Sequence, residues 1–107
     1  MSRDSVVIAD IKNAIRLALE FAQGMVRQEF EDDLKTQSAV IHQLLIMGEA
    51  VKRLSLEYRE EHPDLPWKLM AGLRDVLIHG YDIVDTDEVW QTLHVDLPEI
   101  LSNMDAQ

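Results

Sequence analysis

Residues 40–54 read VIHQLLIMGEAVKRL. Val40, Leu44, Met47, Val51 and Leu54 recur at alternating four- and three-residue steps, the spacing of one face of an α-helix. Ile41, Leu45 and Ile46 widen the stripe, so this helix is expected at the centre of a helical fold. It is read from Leu34 to Glu61, where Pro63 stops it: proline has no amide hydrogen and disfavours helix in the preceding residue. Gly48, on the same helix, allows close contact with a neighbour or simply weakens the helix.

Three more helices are read outward from this one. Ile8, Ile11, Ile15, Ala18, Ala22 and Met25 give a first helix over Asp4–Gln28, with Asp4 as its N-cap. The acidic stretch EFEDD, residues 29–33, reads as a loop. After the turn PDLP, residues 63–66, Pro66 suits the first turn of a third helix running through WKLMAGLRDVLIHGY, with Gly80 as a left-handed cap. Asp85 followed by Glu88 resembles a capping box and opens a fourth helix. Its apolar positions are Val89, Trp90, Leu93, Leu97, Ile100, Leu101 and Met104, and Pro98 is expected to kink or split it. No segment reads well as a strand. The expectation is an all-α, up-and-down four-helix bundle in a single domain, residues 1–107.

Bulk properties exclude several functions. The 107 residues include no cysteine, so disulfides and thiolate metal sites are ruled out. No apolar run spans a membrane and the N-terminus lacks a signal-peptide pattern, so a cytoplasmic protein is expected. Net charge is −10, against broad nucleic-acid binding. The imbalance is concentrated late: residues 74–107 hold Arg74 against eight acids. A polyanion must therefore meet a local cationic spot in a repelling field.

The stretch RDVLIHGY, residues 74–81, carries the most chemistry. Histidine moves protons near neutral pH, and arginine holds phosphate bidentately and stabilises charge at phosphorus. RNA brings its own nucleophile, the 2′-hydroxyl, so one acid–base group and one cation suffice without a metal. A symmetric dimer doubles both. At about 100° per residue, Arg74 and His79 stand about 140° apart on a regular helix, whereas Arg74 and Tyr81 nearly align. The same residues also read as a histidine at a helix C-terminus, a surface Arg74–Asp75 pair and a rim tyrosine. On the residues alone this second reading is the simpler.

Glu49 is either a carboxylate buried near Arg74 or an exposed glutamate. Lys52, Arg53 and Arg59 are candidates for an RNA backbone or a solvated helix face. His42 and Glu49 share a face without a third ligand at fitting spacing, so no metal and no cofactor are expected. His62 and His94 read as surface or cap residues, and Trp67 and Trp90 as core or interface anchors.

The order of motifs resembles the HepT-like toxins of the HEPN superfamily. Arginine, a polar residue, three more and histidine appear as Arg74, Asp75, Val76–Ile78 and His79, with Tyr81 two places on. LIMGEAVKRLS (45–55), PDLPWKLMAGLRD (63–75), VDTDEVW (84–90) and VDLPEI (95–100) resemble further family segments in the same order. The resemblance implies a HEPN four-helix core, a homodimer, and a metal-independent endoribonuclease toxin of a toxin–antitoxin pair, cutting transfer or messenger RNA at the dimer cleft. It makes Arg74 and His79 catalytic, with Asp75 and Glu49 in support and Lys52 and Arg53 toward the RNA backbone. Asp75 stands where asparagine is common. Tyr81 matches the position that an MntA-like minimal nucleotidyltransferase antitoxin adenylylates, adding bulk and charge beside His79. The rival is a non-catalytic helical dimer that serves such a nucleotidyltransferase as a substrate-binding or regulatory partner; a third reading is a purely structural dimer.

Overall fold

The computed structural model describes residues 2–79 and 83–107. The helices are α1 (Arg3–Phe21), α2 (Arg27–Glu31), α3 (Leu34–Lys52), α4 (Leu56–Glu61), α5 (Trp67–Ala71), α6 (Leu73–Leu77), α7 (Thr86–Gln91) and α8 (Leu97–Asp105). A two-stranded antiparallel ribbon, β1 (Ile78–His79) and β2 (Ile83–Val84), lies between α6 and α7. The all-α expectation holds, with this small sheet added to it.

The stripe on α3 is the core. Val40, Leu44, Met47 and Val51 are fully buried and Leu54 nearly so. They share one continuous apolar cluster with Ile11, Ile15 and Ala18 of α1, with Met70, Leu73 and Leu77, and with Val89, Leu97 and Ile100 of the last helices. Ile46 is exposed, so the widened stripe reaches Ile41 and half-buried Leu45 only. Gly48 takes the first of its two sequence readings. A Cβ there would stand 3.0 Å from the Met70 carbonyl oxygen, so glycine is what lets α3 and the Met70 backbone approach so closely.

The long helices of the sequence reading are shorter and more numerous. The first ends at Phe21 rather than Gln28, because Gly24 adopts φ +78°, a left-handed conformation that glycine takes without steric cost. EFEDD is not all loop. Phe30 is fully buried and packs near Trp90, ring centroids 5.7 Å apart, which anchors the single turn α2. Buried Gln37 reaches back from α3, its Nε2 donating to the Phe30 and Glu31 carbonyls at 2.9 and 3.0 Å, and so satisfies the end of α2.

The helix expected over Leu34–Glu61 stops at Lys52, and α4 starts afresh behind the N-cap Ser55. Asp4 is not the cap of α1; Ser2 is. Asp4 instead accepts hydrogen bonds from the Ser55 amide (2.9 Å) and hydroxyl (2.7 Å). The start of α1 is thereby tied to the end of α3, and the two run antiparallel. The Ser55 amide, then its hydroxyl, hold the Asp4 carboxyl below the usual carboxylate range.

The third helix breaks at Gly72 and ends at Leu77, short of the expected Gly80 cap, which falls outside the described residues. Pro66 is the residue just before α5, one place earlier than expected. Ile78 is extended (φ −124°, ψ 119°) and pairs with Val84, and His79 with Ile83. β-Branched Ile78, Ile83 and Val84 flank Gly80-Tyr81-Asp82, a strand–turn–strand signal that outweighs continuation of a five-residue helix. Asp85 caps α7 through its side chain, but its own amide goes to the Leu77 carbonyl at 2.8 Å, so the capping box is only half formed. Pro98 does not split the last helix. The chain stays right-handed helical through Gln91–Leu97, and the turn Thr92–Asp96 widens to π-helix just ahead of the proline, which lacks the amide that His94 would otherwise bond.

Gly48→Ala should lower stability by about 1–3 kcal/mol, since the Met70 carbonyl it meets is backbone that cannot rotate away; urea unfolding measures this. The Asp4 contribution has a defined pH window. Its folded-state pKa lies below the unfolded one, so the stability is full above about pH 4 and is lost as pH falls through the folded value. Asp4→Ala should therefore lower the urea midpoint at pH 7, and the gap from wild type should close as the pH drops below about 4.

Candidate active site

Leu73 and Leu77 of α6, one helical turn apart, are buried. They pin the segment to the core and turn the residues between them outward. The Arg74 side chain is 57% exposed and Asp75 88%. The chain then leaves the helix, and β1 carries His79 with 58% of its side chain exposed. Arg74 and His79 thus stand on two different elements either side of the helix–strand break. The angle expected for a regular helix does not apply to them.

A groove of about 330 Å³ runs between α3 and the α5–α6 pair. Buried Leu44, Gly48 and Met70 form its base; Glu49, Lys52, Arg74 and Asp75 supply its polar lining. The glycine contact at Gly48 sets how closely its two walls approach. Two cations and two carboxylates face this groove. Arg74 Nη1 lies 3.8 Å from Asp75 Oδ1, and Lys52 Nζ donates to Glu49 Oε1 at 3.2 Å. Glu49 is exposed, so the second of its sequence readings holds, and its partner is Lys52 rather than Arg74.

Sequence reasoning placed Arg74, Asp75, Glu49 and Lys52 in one site, and the groove brings them together. His79 does not line it, nor does Arg53, which borders a neighbouring depression beside Arg3, Lys52 and Ser55. Arg59 on α4 is half-buried, its Nε without a hydrogen-bond partner. Tyr81 lies outside the described residues. His42 is exposed, and among the described residues no group of three or more histidine, aspartate or glutamate side chains is placed to hold a metal ion.

Trp67 is buried and donates through Nε1 to the His62 carbonyl at 3.0 Å. Tyr58 stacks on His62, and burial, ahead of the nearby Asp4 and Glu61 charges, pushes its phenol pKa up. Trp90 stacks on His94 in the same way. These aromatics and histidines serve packing and caps, as their spacing suggests.

One site contact was missed. Asp85, read only as a cap, brings Oδ2 to 3.4 Å from His79 Nε2. The signal was present in the same β-branched pair that marks the ribbon, since pairing of Ile78 with Val84 puts residue 85 beside residue 77.

Residues 11–106 match the family described as Ribonuclease HepT-like. The chain belongs to that family. It is 42% identical over 93 residues, 87% of this chain and 84% of the relative, to "Probable ribonuclease HepT" of Thermococcus cleftensis. Two further relatives carry provisional RNase names. One, from Methanocaldococcus jannaschii, is 40% identical over 85% of this chain and 78% of its own length. The other, from Caldanaerobacter subterraneus subsp. tengcongensis, is 40% identical over 77% of this chain and 73% of its own. No solved structure gives a significant match. Membership in the HepT-like family supports an endoribonuclease of the HEPN type. No helix among the described residues is long and apolar enough to cross a membrane.

Because both side chains are more than half exposed, Arg74→Ala and His79→Ala should each change stability by less than about 1 kcal/mol. Matched thermal unfolding of the two variants checks this.

Proposed function

We propose that the HepT-like chain is the endoribonuclease toxin of a toxin–antitoxin pair, acting in the cytoplasm without a metal or cofactor. Residues 1–107 form its one domain, and two copies form the active homodimer. The observation that carries the reading is the exposure of Arg74 and His79 on either side of a break in one core-anchored segment. Both groups are free to meet a large substrate, which a packing role would not require.

In this mechanism Arg74 holds the scissile phosphate and stabilises charge developing on its oxygens. His79 takes the proton from the 2′-hydroxyl. The new 2′-oxygen–phosphorus bond forms as the bond to the 5′-oxygen breaks, and the leaving oxygen takes a proton from the second His79 of the dimer. The products are a 2′,3′-cyclic phosphate and a 5′-hydroxyl end. Lys52 and Arg53 receive the RNA backbone; Asp75 and Glu49 hold Arg74 and Lys52 in support. An MntA-like nucleotidyltransferase antitoxin silences the enzyme by adenylylating Tyr81, which adds bulk and negative charge two residues from His79.

One observation favours a second reading. Each cation of the groove sits beside a carboxylate, Arg74 with Asp75 and Lys52 with Glu49, within a chain of net charge −10. A non-catalytic dimer that serves the nucleotidyltransferase as a binding or regulatory partner would tolerate such pairing better than an RNA-cleaving site.

Cleavage by purified, unmodified protein in EDTA separates the two. Wild type and Tyr81→Phe should cut RNA, and His79→Ala should lose about 10²- to 10⁴-fold in rate. Intact mass must show that no adenylate is attached. Folded wild type that leaves transfer and messenger RNA intact would favour the binding partner, and retained cleavage by His79→Ala would remove His79 from the mechanism.

A further inference from the structure

We propose that Asp85 is a positioning residue for His79, an inference that rests on the ribonuclease reading above. Three contacts define where its two carboxylate oxygens sit. The Asp85 amide donates to the Leu77 carbonyl at 2.8 Å, which fixes the backbone against the end of α6. Oδ1 accepts from the Glu88 amide at 3.1 Å and caps α7. Oδ2 is then left 3.4 Å from His79 Nε2. The Asp85 side chain is 26% exposed while His79 is 58% exposed. The carboxylate is the sheltered, fixed partner and the imidazole the one that it orients.

Capping alone does not require aspartate. Serine, threonine and asparagine cap helices about as well, and each offers a single acceptor oxygen to the first turn. What the carboxylate adds is a second acceptor, and here that second acceptor faces the histidine. A neutral imidazole carries one N–H, and the group beside one nitrogen selects which nitrogen bears it. A carboxylate beside Nε2 keeps the hydrogen there and leaves the Nδ1 lone pair outward, ready to accept the 2′-hydroxyl proton. When Nδ1 takes that proton, the same carboxylate faces the imidazolium and stabilises it, the role that a buried aspartate plays toward histidine in hydrolytic triads. The pairing of His79 with Ile83 and of Ile78 with Val84 holds the two groups together.

Asp85→Asn and Asp85→Ser both retain a capping oxygen, so helix capping and histidine positioning are separable. Two readouts are needed. The first is the nitrogen NMR shifts of the His79 ring in the neutral form, assigned among the four histidines by their loss in His79→Ala. Wild type should show Nε2 protonated and Nδ1 unprotonated, and both Asp85 variants should move population to the Nδ1–H tautomer. The second is RNA cleavage. In both variants kcat should fall about 10²-fold or more with KM within about twofold, while the thermal midpoint stays near wild type. Ring shifts and kcat unchanged in both variants overturn the proposal. So does a loss of kcat that merely follows a loss of thermal stability. An RNA-inactive wild type defeats the ribonuclease reading instead, and the ring shifts, read without RNA, still decide the role of Asp85.

Discussion

Burial of the α3 stripe sets the frame for every other element. Val40, Leu44, Met47 and Val51 lie fully out of water, α1 and α5–α6 lean on them, and the last helices close the same cluster against α1 and α6. Transfer of such side chains from water contributes on the order of 2 kcal/mol apiece, more than any single exposed ion pair in the chain. Polar contacts then set register rather than hold the structure together. Asp4 locks the ends of α1 and α3, and Lys12 and Arg16 on α1 meet Asp105 on α8, each at 3.2 Å. Arg27 on α2 meets Asp87 on α7.

That frame leaves a short segment free for chemistry. Residues 73–79 are fixed by Leu73 and Leu77 and by the ribbon pairing, so Arg74 and His79 project from an anchored backbone rather than a loose loop. Side chains carried on an anchored backbone keep a more defined geometry than those on a loose loop. The matched charges in the groove pull the other way, toward a binding role. Asp75 and Glu49 partly neutralise Arg74 and Lys52 in a chain that carries so many acids.

Much of this was legible from apolar spacing. The stripes of α1, α3 and the last helix read residue by residue, and most of their members are buried, with Ile8, Met25, Leu45, Trp90 and Leu101 partly so and Ile46 exposed, because periodicity reports burial directly. The misreadings have local causes. The first helix reads past Gly24 because Met25 continues its apolar spacing, and the second reads past Ser55 because Pro63 is the next signal that stops a helix. EFEDD was read as loop because four acids outweighed one phenylalanine, although that phenylalanine is fully buried. The ribbon was missed because Ile78 fits helical and strand spacing equally, and two-residue strands leave no period to count. In the site, residue types point to Arg74 and His79, and the Lys52–Glu49 pair is an i, i+3 pair that spacing along α3 does encode. The contact of the second Asp85 oxygen with His79 is not encoded along one helix; it arises from which side chains two elements bring together.

The wide turn at Thr92–Asp96 has a further consequence. A helix is a screw, and two surfaces that each seat one end of it must agree on its phase. Here one end is set by Asp85 and the ribbon, and the other by the Asp105 contacts with α1. A π turn takes more residues to complete a revolution, so it rotates one end relative to the other. Val89 ahead of the turn, Leu93 within it, and Leu97, Ile100 and Met104 beyond it all face inward. The turn is a fixed offset in the shaft: it reconciles the phase demanded at the histidine end with the phase demanded at the seam with α1.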